Sequence, residues 1–326
     1  MINIIYITEK GKNLSKKIEN ILNYYHYSFK TYHIKGFNIE KNSNITGFIF
    51  IGAIGIVLRK YIPSIINDKL KDPFIIVINE TGSQIIPLLS NHVGGGNYFA
   101  KLIGNEIKGN VAITTATDTN NKIGIDELSR IYYLQLPDRK DILKINKKIL
   151  NQKVSLKLPY GWKEVKNLSY SYDIDYHSKD FVVVDNSIIL KPKKIVVGVG
   201  CRKGTPSYNI YWTIKKGLYL RDIPLWRIDA IGTIDIKKDE VGLLKVISKI
   251  KKKLHIFSKE ELNEIYKNRE DLEKSDFVFK NIGVYGVSEG SSIATVNKLT
   301  NCGIKNVKLL LKKLKGKNTT VSIAMG

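Results

Sequence analysis

Apolar positions in the first part of the chain gather into short continuous runs at residues 4–7, 48–52, 74–78 and 111–114. Runs without polar alternation are what strands covered on both faces show. Between them lie stretches of helical period. Leu14, Ile18, Ile21 and Leu22 share one face, residues 56–66 form a second helix that Pro63 should end early, and residues 98–107 form a third. Strand–helix alternation of this kind predicts a three-layer α/β domain over residues 1–137.

From residue 138 the texture changes. Residues 141–150 read as a helix, but 154–190 are polar, tyrosine-rich and irregular, with 181–184 the clearest strand candidate. The run Lys191-Pro192-Lys193-Lys194 marks a linker, so 138–194 is read as a middle segment. A second α/β domain, 195–326, opens with a strand at 195–199. Thr205 and Pro206 start a helix running towards Tyr219, 228–234 is a strand, and 240–251 is a helix. Ser258 and Glu261 form a capping box after the strand 254–257, and 307–311 pairs with 320–324 across a turn near Gly316. The fold class expected is α/β, with two three-layer α/β domains joined by a less regular middle segment.

Composition narrows the function classes. The 326 residues are 43% hydrophobic and 10% aromatic, enough to build real cores and unlike a disordered polymer. The first ten residues read as a strand rather than a signal peptide, and the apolar run 48–58 is too short for a bilayer span. A cytoplasmic protein with no membrane partner is expected. Cys201 and Cys302 have no Cys or His at metal-ligand spacing, which argues against a protein metal site. The net charge of +23 fits a polyanionic ligand, either nucleic acid or a multiply carboxylated small molecule. It also fits AT-rich coding, since the cations are mostly Lys and Asn, Ile and Tyr are abundant. The second explanation takes the larger share.

Candidate chemistry concentrates in the first domain. Asn79-Glu80-Thr81-Gly82 follows one strand, Ser90-Asn91-His92-Val93-Gly94-Gly95-Gly96-Asn97 leads into a helix, and Thr114-Thr115-Ala116-Thr117-Asp118 follows another strand. In open α/β sheets ligands bind outside the carboxyl ends of strands, where two of these segments are expected. Gly94, Gly95 and Gly96 would let backbone approach a ligand and offer amide donors at the helix start. His92 is the candidate general acid or base, with Glu80 and Asp118 to orient it or hold water. Singly, each feature has an ordinary explanation as a tight turn, a helix cap or a hydrogen-bonded structural histidine. Three polar clusters in one domain favour a site.

The second domain opens on Gly198-Val199-Gly200-Cys201-Arg202-Lys203-Gly204-Thr205. Its third glycine comes one residue late for a dinucleotide loop, and the ending of a P-loop is missing. As a backbone-donor loop beside Arg202 and Lys203 it suits carboxylates. Cys201 is read as a packed thiol more readily than as a nucleophile. Lys237, Asp239 and Glu240 begin a helix where acidic residues favour the dipole.

These clusters, in this order, resemble the cobalt-precorrin-5A hydrolase family of anaerobic cobalamin biosynthesis. The likeness runs through residues 52–59, Asp68-Lys69, Asp72-Pro73, Glu80-Thr81-Gly82, residues 88–97 and residues 113–118. In the last domain it continues through residues 197–205, 235–243, 257–262 and Gly286-Val287-Ser288-Glu289. Asn79, Asn91, Gly96, Gly290 and Ser291 depart from the family's usual residues. The resemblance implies a hydrolase that opens the δ-lactone of a cobalt-bound tetrapyrrole and releases acetaldehyde. It implies no cofactor, because cobalt arrives with the substrate, and neighbouring enzymes of the pathway as possible partners. His92, Glu80 and Asp118 are then the candidate catalytic residues. Candidate substrate contacts are Arg59, Ser90, Gly94, Gly95, Gly96, Asn97, Thr114, Thr115, Gly200, Cys201, Arg202, Lys203, Lys237, Glu240 and Glu289. The competing readings are a basic nucleic-acid-binding protein, which lacks a recognisable binding module, a nicotinamide-dependent enzyme, disfavoured by the glycine spacing, and a non-catalytic tetrapyrrole-binding platform.

Overall fold

The computed structural model describes residues 1–39, 45–68 and 70–326; Lys69 of the quoted motif lies outside them. The chain divides into two compact units, Met1–Pro192 and Lys193–Gly326. Among the described residues no helix is long and apolar enough to cross a membrane.

The first unit begins β1 (Ile2–Tyr6), α1 (Glu9–Tyr24), β2 (Phe29–His33), β3 (Gly47–Ile51), α2 (Ile54–Lys60), α3 (Ile62–Ile65) and β4 (Phe74–Ile78). It continues with β5 (Gln84–Leu89), α4 (Gly96–Ile107), β6 (Asn110–Val111), α5 (Ala116–Thr119), α6 (Ile125–Ile131) and α7 (Arg139–Asn151). Six strands make one sheet in the order β2-β1-β3-β4-β5-β6. The strands β1 to β4 are parallel, and their apolar runs divide by period two between the faces. Ile4, Ile49, Ile76 and Ile78 pack with Leu14 and Ile18 of α1 and Phe99 and Ile103 of α4. On the other face Ile5, Phe48, Phe50, Ile75 and Val77 pack with Val57 of α2, with Tyr61 between α2 and α3, and with Ile65 of α3. This is the expected three-layer arrangement, with Pro63 in the first turn of α3 where the expected single helix is broken.

Two strands of this sheet, β2 and β5, were not anticipated, and β5 changes the site. After β4 a turn through Gly82 reverses the chain, so β5 runs antiparallel to β4, with Ile78 opposite Ile85 and Ile75 opposite Leu89. Pro87 argues against a strand in the sequence. It is tolerated because β6 pairs with β5 only at Gln84 and Ile85, and the β4–β5 ladder is irregular between Ile75 and Ile76.

The segment expected to be irregular contains β7 (Val154–Pro159), β8 (Tyr172–His177), β9 (Val182–Val184) and β10 (Ile188–Leu190), a four-stranded sheet in the order β10-β9-β7-β8. Strand β7 alternates buried Val154, Leu156 and Leu158 with Ser155 and Lys157, and β9 falls within the candidate 181–184, whereas β8 buries only Tyr172 fully and β10 only Leu190.

The second unit comprises β11 (Ile195–Cys201), α8 (Ser207–Tyr219), β12 (Ala230–Ile234), α9 (Val241–Ile250), β13 (Lys253–Phe257) and α10 (Lys259–Asn268), followed by α11 (Asp276–Ile282), α12 (Ser288–Thr300), β14 (Lys308–Gly316) and β15 (Thr319–Met325). Its sheet runs β13-β12-β11-β15-β14, with β11 to β13 parallel and β15 antiparallel to both neighbours. The capping box at Ser258 and Glu261 is formed. Close seating of α12 on the sheet explains one glycine. A Cβ on Gly198 would stand 1.8 Å from the Ser288 carbonyl oxygen, so no larger residue fits.

Candidate functional site

Because β5 runs backwards, its end delivers residues 90–97 to the amino ends of β1, β3 and β4. Strand β6 is parallel to β5, so residues 112–118 arrive at that same edge. Glu80 instead follows β4 at the carboxyl edge, where it accepts a 2.7 Å hydrogen bond from Thr8, the residue capping α1. Five residues of β4 separate the two edges, roughly 16 Å. The expectation that all three polar clusters meet is therefore corrected. His92 and Asp118 come together, and Glu80 is on the other side of the sheet.

His92 is held at both ring nitrogens. Its Nε2 lies 2.7 Å from Asp118 Oδ2 and its Nδ1 lies 3.1 Å from Asp126 Oδ2. The three side chains are only 10%, 9% and 6% exposed, respectively. Asp118 Oδ2 also accepts from Thr115 Oγ1 at 2.6 Å and from Asn97 Nδ2 at 3.0 Å, while Lys101 Nζ lies 3.1 Å from Oδ1. Asp126 Oδ1 accepts from Asn146 of α7 at 3.0 Å. Burial alone would favour a neutral imidazole. The bonds and charges of the two carboxylates outweigh it and raise the His92 pKa from 6.5 to about 10. Burial likewise opposes ionisation of Asp118 and Asp126, yet the His92 bonds lead a set of interactions that bring both below the usual carboxylate range. The histidine is thus a cation near neutral pH, which disfavours the base among the two roles expected of it, general acid or base.

Gly95, Gly96 and Asn97 do not offer their amides as expected. Gly95 N–H donates to His92 O, Gly96 N–H to Ser90 O and Asn97 N–H to Asn91 O, which closes the loop on itself. Gly95, with φ of 87°, takes the left-handed conformation that ends the loop at the start of α4. Ser90 is spent in bonding the Asp72 carbonyl, and Asp72 Oδ1 in turn accepts from the amides of Asn67 and Asp68. These motif residues hold the loop. Thr114 is exposed in the connection before half-buried Thr115, and Arg59 is exposed on the last turn of α2.

Three residues that sequence reasoning missed complete the cluster: Asp126 and Glu127 of α6, and Tyr172 of β8. An acidic pair at a helix start reads as a dipole effect, and no local signal shows that Asp126 is 4% exposed. Burial and the charge of Asp118 raise the Glu127 pKa, against the opposing charges of His92, Arg130 and Lys101. The Tyr172 hydroxyl and Asn97 Oδ1 are buried with no hydrogen-bond partner among the described residues. Ligand atoms of His92, Asp118 and Glu127 lie within 4.8 Å of one another, a spacing a cation could use. Both His92 nitrogens already face aspartate oxygens, so a cation there would have to displace one of those contacts.

In the second unit Gly200 and Cys201 lie in β11, paired with Thr320 and Thr319. Arg202 N–H donates to Asn318 O, and Gly204 N–H donates to Glu240 Oε1 at 2.9 Å. Lys237 Nζ reaches Glu240 Oε2 at 3.4 Å. Glu240 thus occupies, from within the chain, the anion position that the loop was expected to offer a ligand. Arg202 and Lys203 remain exposed. Burial, against the charge of Lys237, pushes the Cys201 thiol up to about 11, which makes it a poor nucleophile. Glu289, 2% exposed, accepts from Lys313 N–H where the β14–β15 register shifts between Leu311 and Leu314. Its recorded contact is structural.

Comparison with known proteins covers both ends of the chain. The family model described as cobalamin synthesis G N-terminal matches residues 40–118, and that described as cobalamin synthesis G C-terminus matches residues 195–324. A relative from Methanocaldococcus jannaschii, named "Probable cobalt-precorrin-5A hydrolase", is 57% identical over 324 residues, covering 99% of this chain and 98% of the relative. The cobalt-precorrin-5A hydrolase of Salmonella typhimurium is 30% identical over 269 residues, 74% of each chain. In fold, the chain is similar to a cobalamin biosynthesis protein G homolog from Sulfolobus solfataricus, with a TM-score of 0.61 and 23% identity over 99% of this chain and 96% of that one.

Proposed function

This chain belongs to the cobalamin synthesis G family, and from that membership we propose that it hydrolyses cobalt-precorrin-5A to cobalt-precorrin-5B. The reaction opens the δ-lactone, releases acetaldehyde, and is a cytoplasmic step of anaerobic cobalamin biosynthesis. The near-full-length match to the M. jannaschii relative carries this reading. Cobalt belongs to the substrate.

The chemistry has two stages. Water adds to the lactone carbonyl, giving a carboxylate and freeing a hydroxyl. That hydroxyl loses its proton and its carbon leaves as acetaldehyde, while the electron pair of the broken carbon–carbon bond passes to the macrocycle, which takes up a proton. Both stages need a stabilised anion and a group that moves a proton.

We place this chemistry at the Asp118–His92–Asp126 array. A protonated His92 with both N–H groups given to carboxylates is unsuited to acting as the base; it neutralises Asp118 and Asp126 and holds them in place. Asp118 fixes its Nε2 proton, and Asn97, Thr115 and Lys101 fix Asp118. Glu80, at the opposite sheet edge, is left out of this assignment. Exposed Arg59, Arg202 and Lys203 are suited to the peripheral carboxylates of the macrocycle. The test is direct: purified protein is mixed with the lactone substrate, and acetaldehyde is followed by an aldehyde-reducing coupled assay. Stoichiometric release is expected, and substrate recovered with its lactone closed would overturn the reading.

A further inference from the structure

Within the charged cluster of the first unit the three carboxylates are not alike. Asp118 accepts from His92, Thr115, Asn97 and Lys101, and Asp126 accepts from His92 and Asn146. Both are saturated and closed. Glu127 is the open member, its side chain 18% exposed, and its recorded ionic partner is Arg130 one turn along α6 at 3.8 Å, beyond hydrogen-bond distance. One Glu127 oxygen nevertheless stands within 4.8 Å of both a His92 ring nitrogen and an Asp118 oxygen. Two buried polar groups beside the cluster point to something that binds there. Asn97 is 5% exposed and already bonds Asp118 through its amide nitrogen, yet its oxygen has no partner among the described residues. Tyr172, 1% exposed and close enough to feel the charges of Asp126 and Glu127, has a hydroxyl without one.

We infer that Glu127 is the proton shuttle of the carbon–carbon cleavage, with Asp118, His92 and Asp126 forming the rigid charged frame beside it. This rests on the hydrolase reading above. The ionised Glu127 carboxylate takes the proton of the hydroxyl freed by lactone opening. The oxygen–hydrogen pair becomes the second bond of the acetaldehyde carbonyl, and the pair of the broken carbon–carbon bond goes to the ring carbon. Glu127 then returns its proton to that carbon, so no external acid, base or redox partner is consumed. An uncommitted carboxyl suits this better than the saturated aspartates, whose proton affinity is lowered by their donors. Five groups face it: Asp118 of α5, His92 of the glycine loop, Lys101 of α4, Tyr172 of β8 and Arg130 on its own helix. Burial and Asp118 together raise its pKa, towards the range in which a carboxyl exchanges protons usefully.

The experiment uses the full chain and the lactone substrate, and reads two products separately: the water adduct of the macrocycle by mass, and acetaldehyde by the coupled assay. Glu127→Gln should open the lactone near the wild-type rate but release acetaldehyde about a hundredfold more slowly or worse, the usual scale for losing general acid–base catalysis. The wild-type release rate should fall on the acid side as Glu127 protonates, and this limb should vanish in Glu127→Gln. Glu127→Asp should restore the limb with part of the rate, which a purely structural role would not do. It also decides the matter should the glutamine variant fold poorly. Either variant matching wild type in release rate and acid limb overturns the assignment of Glu127 while leaving the hydrolase reading intact. A wild-type chain that leaves the lactone closed overturns the hydrolase reading and this inference with it.

Discussion

Replacing His92 by Gln removes the one cation shared by two buried carboxylates, and its cost should depend on pH in a specific way. The folded-state pKa of about 10 lies above the ordinary 6.5, so the group stabilises the fold fully below pH 6.5. That contribution declines through the interval and is gone once pH passes 10. At about 1.4 kcal/mol per pH unit the full value is roughly 5 kcal/mol, falling to roughly 3 kcal/mol at pH 8. Only the shift of His92 enters, because adding the depression of Asp118 would count the same bond twice. Since His92 is 10% exposed, solvent screening takes little from these figures, which are upper bounds once the variant's carboxylates recapture a proton. The measurement is urea unfolding of wild type and His92→Gln at pH 7, 8, 9 and 10.5. Trp162, which stacks on Tyr132 in the same unit with ring centroids 5.6 Å apart, reports the transition, with Trp212 and Trp226 of the other unit replaced by Phe in both proteins. Reporting on one unit avoids treating a two-unit chain as a single two-state transition. The stability gap should be widest at pH 7 and close by pH 10.5. A gap under about 1 kcal/mol at pH 7, or one that stays constant to pH 10.5, would refute the doubly bonded imidazolium.

Other outcomes follow from the same geometry. Asp126→Asn keeps the shape and removes one charge, so nitrogen NMR of the His92 ring should show its pKa dropping by more than one unit, and an unmoved titration would contradict the Nδ1–Asp126 bond. Gly242→Ala would put a Cβ 2.0 Å from the Thr205 carbonyl oxygen, so the second unit should lose several kcal/mol and melt well below wild type; an unchanged melting temperature would deny that contact. Glu80→Gln should keep acetaldehyde release within about threefold of wild type, since catalytic proton transfer is worth far more than that; a dead enzyme would return Glu80 to the chemistry.

The strands and helices of both α/β layers were largely readable because their signals are local. Four of the six strands in the first sheet follow from apolar runs, and the broken α2–α3 pair follows from Pro63. The capping box at Ser258 and the hairpin of β14 and β15 follow from turn and cap chemistry within a few residues. Of the middle sheet only β9 was read, within the candidate 181–184; β8 and β10 each bury a single side chain and give little signal.

His92 and Asp118 were singled out from sequence by residue type and by their place beside glycine and threonine turns. The sequence alone thus determined the layer pattern, the family likeness and two of the four charged residues that define the site. Tertiary structure decided where those residues meet. A single antiparallel strand, β5, with a proline that disguises it, brings residues 90–97 and 112–118 to the opposite edge of the sheet from Glu80. It also decided the protonation of His92, because Asp126 reaches the ring from 34 residues away. Hydrogen bonds and burial between residues so distant along the chain leave no period or spacing in the sequence, and they set whether an imidazole is a base or a buried cation.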